Sequence, residues 1–293
     1  MANAYTTPSD VFSPQVVGQA IKGYLYNNVA LLGSGYIGSI PGAVWSAGGN
    51  QVTFPKYTGF TATAGVASSA NAADGTKVDS KKVTVTTVTA DCVNRILSIA
   101  VDKVTLQNAY TDMDLYNMII SQIGEQIRNE IDLALITEAA TTTLTLGDTT
   151  TPVDMTYDNV VDAKMLWGDK AQNADAAMIV HSNSYGEILK LADIKDASKF
   201  GIPTSVAGEV PVLAGMPVFV SDNITFNDST ADSYTNLIVR RNALRFGTRS
   251  EAEMEIKTEP GNTMRYLDTD FRYIVDLEQS AQLGVIKMVT TAA

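Results

Sequence analysis

Apolar residues recur every four positions through Leu115, Ile119, Ile123, Ile127, Ile131 and Leu135. At 3.6 residues per turn each such step advances about 400°, so the stripe drifts roughly 40° per step and winds around its helix. The spacing predicts one long helix over 112–140, roughly 40 Å at 1.5 Å per residue. Asp112 and Asp114 sit at its N-terminus, where the macrodipole is positive. A winding stripe buries its two ends against different neighbours, which makes this helix a spine.

Elsewhere the period is two. Glu251, Glu253, Glu255 and Lys257 alternate with Ala252, Met254, Ile256 and Thr258, a strand with one wet face. The "EPGN" that follows turns the chain back, and 271–277 with 281–289 are expected to complete an antiparallel sheet. Residues 52–60 and 83–99 read as the two legs of an extended hairpin with its tip near Asp74-Gly75. From Thr61 to Thr76, Val66 is the one sizeable apolar side chain. An isolated two-stranded ribbon is marginal in water, so this hairpin must lie on something else. "TTTLTLGDTTT" at 141–151 predicts a second hairpin around Gly147-Asp148.

After Pro152 the elements alternate. Residues 157–167 predict a short amphipathic helix with Val160, Val161, Met165 and Leu166 apolar, and "AAMIVHS" a buried strand. Ser184 and Glu187 form an S-x-x-E capping box ahead of Ile188 and Leu189. "MPVFVSD" and "NLIVRR" are two further strands, giving an α/β block over 152–245. Residues 1–47 carry one acid, Asp10, and one base, Lys22. So uncharged an arm needs cover from its own body or from another chain. Within it "SPQVVGQAIKGYLY" predicts a short helix, with Ser13 as N-cap and Pro14 at the first helical position.

With 45% apolar and 18% charged residues the 293-residue chain is globular. Its net charge of −11 argues against broad nucleic-acid binding, which needs clustered Lys and Arg. The single cysteine, Cys92, excludes an internal disulfide and a cysteine zinc site, and its Val/Thr surroundings predict a buried, inert thiol. No apolar run approaches the roughly 18 residues of a membrane span. The N-terminus "MANAYTTPSD" lacks the basic segment and apolar core of a secretion signal.

Candidate chemistry is sparse. Gly33, Gly35 and Gly38 in "GSGYIG" match G-x-G-x-x-G, but a dinucleotide site needs a helix next and an acid about twenty residues on. Pro41 and Gly42 break any helix, and the next acid is Asp74. The one histidine, His181, has Ser182 and Ser184 as near neighbours in sequence, whereas a Ser-His pair must meet in space, so a structural role is expected. The pairs Asp112/Asp114 and Asp268/Asp270 are read as helix capping and solvated turn positions before cation ligands. Arg240, Arg241, Arg245 and Arg249 form a local basic cluster suited to an acidic neighbour. No catalytic residue, cofactor or metal site is expected. What stands out is an arm, a hairpin and a spine that bury themselves poorly, which binding to further copies of the chain would cure.

That order of parts resembles the major capsid proteins of tailed bacteriophages, the HK97-like fold. The resemblance covers nearly the whole chain and includes the phrases "MLWGDKAQNADAAMIVHSNSYGEILKL" and "LAGMPVFVSDNI". It implies an α+β fold with an N-terminal arm over 1–47 and an extended E-loop hairpin over 48–100. A peripheral domain with the spine helix covers 101–151 and 246–293, and an α/β axial domain covers 152–245. The family's E-loop lies over the next subunit, so small side chains in this hairpin would let it lie flat there. Intersubunit contact is expected from Phe54, Lys56, Tyr57, Phe60, Lys77 and Lys81 of the hairpin and from Arg240 and Arg241.

The implied function is an icosahedral-type phage head shell built from copies of this chain as pentamers and hexamers. It would enclose double-stranded DNA without sequence recognition and have no membrane partner. A separate scaffolding protein, a portal and a decoration protein are implied partners, the virion is the location, and assembly is expected in the host bacterial cytoplasm. The family's cleaved helical extension has no counterpart ahead of this hairpin, so an uncleaved coat protein is expected. Some members cross-link a hairpin Lys to a neighbour's Asn, for which Lys56, Lys77, Lys81, Lys82 and Asn262 are the residues to consider. An encapsulin-like compartment, a phage tail or surface-lattice protein, and a nucleotide-binding enzyme are the alternatives.

Overall fold

A computed structural model describes residues 34–40, 44–45, 51–58, 84–102, 112–172, 174–191, 194, 212–228, 231–258, 264–277 and 284–292. The chain divides into two compact units: Ile40–Val93, and Met1–Ser39 together with Asn94–Ala293.

The smaller unit is a three-stranded sheet of β2 (Val44–Trp45), β3 (Gln51–Thr58) and β4 (Thr84–Asp91), ordered β2-β3-β4. β3 and β4 pair antiparallel over their full length, from Gln51 opposite Asp91 to Thr58 opposite Thr84. Val52 and Phe54 are buried, while Gln51, Thr87, Thr89 and Asp91 are exposed. The Thr53 and Thr89 hydroxyls meet across the strands at 3.3 Å. The expected single strand over 83–99 is in fact two. β4 ends at Asp91, the buried Cys92 intervenes, and β5 (Val93–Asp102) joins a different sheet. The exposed positions change phase there, from odd-numbered Thr87, Thr89 and Asp91 to Asn94, Ile96, Ser98 and Ala100, with Arg95 the one odd-numbered exception. A one-residue slip of this kind turns each side chain to the opposite face.

In the larger unit the helix α1 spans Asp112–Ala139. Ile119, Ile123, Ile127, Ile131 and Leu135 are all buried, and the stripe then passes to Ile136 and Ala139, as its drift requires. α1 packs against strands of both remaining sheets, β11 (Ser233–Arg240) and β13 (Met264–Leu277).

The first of these sheets has the order β1-β12-β13-β5, with β1 at Gly38–Ser39 and β12 at Leu244–Thr258. β12 and β13 form a long antiparallel ribbon from Leu244 opposite Leu277 to Thr258 opposite Arg265, and the "EPGN" expected to turn the chain lies outside the described residues.

The second sheet has the order β6-β14-β11-β7-β9-β8. Its strands are β6 (Leu144–Leu146), β7 (Ala176–Val180), β8 (Val212–Leu213), β9 (Met216–Val220) and β14 (Val285–Thr291), with β10 (Phe226–Asn227) paired beside β11. β7 is buried along its whole length, as a strand flanked by β11 and β9 should be. Helices α2 (Tyr157–Met165) and α3 (Ser182–Lys190) complete a core containing Val160, Trp167, Met178, Ile188, Ile238 and Ile286.

Four expectations change here. β14 does not extend the β12–β13 sheet; it pairs with β11 from Ser233↔Thr291 to Val239↔Val285. An apolar strand carries no mark of which sheet it will enter. Residues 141–151 are not a hairpin either: β6 runs parallel to β14, and after the turn Val153 bridges to Thr290 of that same strand. α3 starts at Ser182, capped by His181, so Ser184 lies inside the helix and is no N-cap. In α2, capped by Thr156, the buried face is Val160 and Ala163 with Trp167 beyond, while Met165 and Leu166 are 54% and 39% exposed.

Candidate assembly surfaces

The hairpin residues expected at subunit contacts fall into three groups. Phe54 is 1% exposed, so its ring is already covered within its own chain. The main chain of Lys56 and Tyr57 lies in β3, opposite Thr86 and Val85 of β4. Phe60, Lys77 and Lys81 lie outside the described residues, as do Lys82, Asn262, the tip at Asp74-Gly75 and the helix expected from Ser13 and Pro14.

Arg240 ends β11 opposite Ala176, and Arg241 is engaged within its own subunit. The Arg241 amide donates to the Asp175 carbonyl at 2.9 Å, and its Nε lies 2.9 Å from Asp175 Oδ2. Its guanidinium lies 5.2 Å from the centroid of the Tyr36 ring. The Asn242 amide donates to the Tyr36 carbonyl at 2.9 Å. Burial, then a hydrogen bond to Asp175, pushes the Tyr36 hydroxyl above its ordinary pKa. These contacts also explain part of the glycine motif. A Cβ on Gly38 would come 3.0 Å from Asn242 Oδ1 and 3.3 Å from its Cα, so Gly38 permits the close approach that lets β1 pair with Arg245 and Phe246. A strand follows where a phosphate-binding helix would be needed.

His181 does structural work. Its Nδ1 accepts from the Asn183 amide at 3.2 Å, and its ring stacks on Tyr234 with centroids 4.1 Å apart. Below it Asn236, fully buried, accepts from the His181 amide at 3.0 Å and donates to Thr290 Oγ1 at 2.8 Å and Ser184 Oγ at 3.2 Å. Ser184 is therefore tied into this buried network rather than into a nucleophile–base pair. The network joins α3, β11 and β14, a polar pin through the block.

Asp268 accepts from Ser98 of β5 and lies 3.0 Å from Lys257 Nζ of β12, which tie three strands together. The Ser98 bond first, and then Lys257, holds its carboxyl below the ordinary range. Asp270 lies 3.5 Å from Arg272 Nη2. Among the described residues no cluster of three potential metal ligands occurs.

One feature carries no mark in the sequence, a cavity of about 160 Å³ where β5, α1 and β13 meet. Ile96, Leu97, Ile127 and Phe271 supply its apolar wall, and Arg95, Gln126, Glu130 and Thr269 the polar remainder. Arg95 pairs with Glu130, which also accepts from the Tyr273 hydroxyl at 3.1 Å. Burial, then the Glu130 charge, pushes that hydroxyl up to about 12. No local motif marks the cavity, because its lining comes from three distant stretches of chain.

A hairpin unit, a long spine helix, a long β-ribbon and an α/β block make up the HK97-like fold. The capsid of a native GTA particle superposes with a TM-score of 0.66 at 14% identity, covering 90% of this chain and 91% of that one. The capsid of cyanophage P-SCSP1u gives 0.63 at 14% identity, covering 88% and 94%. A structure of Mycobacterium phage Che8 gives 0.63 at 15% identity, covering 82% and 84%. At such identities the likeness establishes the fold. No curated protein matches the sequence. The phage capsid family profile, however, matches residues 14–277, and the chain belongs to that family. It is a major capsid protein, the subunit of a phage head shell and a component of the virion.

Proposed function

We propose that copies of this chain form pentamers and hexamers, close into an icosahedral-type shell and enclose double-stranded DNA without reading its sequence. The hairpin unit clasps the next subunit, and the chain performs no catalysis. The observation that carries this reading is the separateness of Ile40–Val93, a small unit built on the fully paired β3 and β4. The sequence between those strands holds almost nothing that could form a core of its own. Main-chain shape over a neighbour, repeated around a closed shell, gives collective stability from modest contacts. The net charge of −11 keeps packaged DNA from adhering to the wall. Assembly in the host bacterial cytoplasm, with a separate scaffolding protein, a portal and a decoration protein, fits this role.

Negative-stain electron microscopy of the purified chain, alone and with candidate scaffolding partners, tests the reading. Rings or closed shells are expected. A monomer under every condition would remove the reason for the hairpin unit.

A further inference from the structure

We propose that the face of the β12-β13-β5 sheet turned away from α1 receives the hairpin unit of a neighbouring copy, and that opposite charge sets where it lands. The inference rests on the proposed clasp and names the surface that receives it. Side chains alternate across a sheet. Arg95 of β5 and Tyr273 of β13 reach Glu130 of α1 on one face, while Ser98, Asp268 and Lys257 meet on the other. On that second face Asn94, Ser98, Ala100, Glu255 and Lys257 are exposed. Ile96, in phase with them, is 67% exposed, the most of any large apolar side chain described.

The face is also acidic. In register, Glu253 stands opposite Asp270 and Glu255 opposite Asp268, two like-charged pairs that disfavour the isolated ribbon. Lys257 Nζ is shared between Glu255 at 3.2 Å and Asp268 at 3.0 Å, and Arg272 lies 3.5 Å from Asp270. Two cations against four acids leave the face negative.

Such a surface selects a flat, cationic guest. Residues 40–93 carry four lysines against three aspartates, net +1 in a chain of net charge −11. Lys77, Lys81 and Lys82 fall within six residues, next to the small side chains of 61–76 that can lie flat. The arginine cluster is the rival guest, but Asp175 holds Arg241, and Arg240, Arg245 and Arg249 have partners within their own subunit.

Two measurements decide it. Shells co-assembled from isotope-labelled and unlabelled subunits are treated with a carbodiimide, which joins an amine to a carboxylate in contact with it. Hairpin lysines should join to Glu253, Glu255, Asp268 or Asp270 of another copy. Intersubunit links from them to carboxylates elsewhere would overturn the ribbon as receiver but leave the clasp standing. Shells in which they join only their own chain would overturn both.

The second is a charge swap in the full-length protein. Glu253→Lys with Glu255→Lys should raise the subunit concentration needed for assembly about tenfold, and so should Lys77→Glu with Lys81→Glu and Lys82→Glu. All five substitutions together should return assembly to within about threefold of the parent. The ribbon substitutions break up the like-charged pairs, so the unassembled subunit should melt no lower than the parent while its assembly is impaired. Parent-like assembly of the ribbon variant, or no recovery in the combined variant, would overturn the proposal.

Discussion

The guanidinium of Arg241 lies 5.2 Å from the centre of the Tyr36 ring while its Nε meets the Asp175 carboxylate at 2.9 Å. One side chain thus ties the segment around Tyr36, just before the hairpin unit, to the turn after β11. Both charged groups are about half exposed, so solvent limits the pair, and Arg241→Ala should cost only about 1 kcal/mol of global stability. The loss should show locally. Exchange of the Asn242 amide, which donates to the Tyr36 carbonyl, should accelerate at least about fivefold if the latch contributes that same 1 kcal/mol. Unchanged exchange at Asn242 would show that Arg241 does not hold the segment.

Asn236 is the centre of the buried polar pin. Asn236→Ala leaves the His181 amide and the Ser184 and Thr290 hydroxyls short of partners at once. A loss of about 3 kcal/mol is expected in urea unfolding of the unassembled subunit. A loss below about 1 kcal/mol would mean that water or rearrangement replaces the network.

Legibility in the sequence followed the range of the interaction involved. The spine helix and the alternating β12 were readable because a repeat over many residues is a local signal, and the buried Ile119–Leu135 stripe matches it residue for residue. The fate of β14 was not readable, since its apolar residues suit a place beside β13 as well as the one they take beside β11. The break at Cys92 left a trace, the change of phase in exposed positions, but Val and Thr on both sides blur it. The capping box at Ser184 failed because an imidazole did the capping three residues earlier. The cavity was invisible because β5, α1 and β13 meet only in the folded chain.

Gly147 and Gly186 should respond oppositely to alanine. Gly147 has φ +73°, and a Cβ there would lie 2.8 Å from the Val289 carbonyl oxygen, so Gly147→Ala should destabilise by about 2 kcal/mol or more. Gly186 lies within α3 with nothing within 4 Å of a new Cβ, so Gly186→Ala should stabilise by about 0.5–1 kcal/mol. Thermal melts of the two variants make the comparison, and equal shifts would contradict the turn geometry.

The turn after Gly147 also carries an acid signature. Asp148 Oδ1 accepts from the hydroxyls and amides of both Thr150 and Thr151, the Thr150 hydroxyl weighing most. These bonds lower its carboxyl from the ordinary 3.8 to about 2. The folded pKa is depressed, so the turn's contribution is full above about pH 4 and fades as pH falls through about 2. Carbon-13 carboxyl titration of the unassembled subunit should place the Asp148 midpoint near 2, and a midpoint near 4 would mean that these hydrogen bonds do not persist in solution.

The most direct test of the clasp is cryo-electron microscopy of the assembled shell at side-chain resolution. β3 and β4 of each subunit should lie across the adjacent subunit. A hairpin folded back onto its own subunit, with shell contacts made elsewhere, would contradict it.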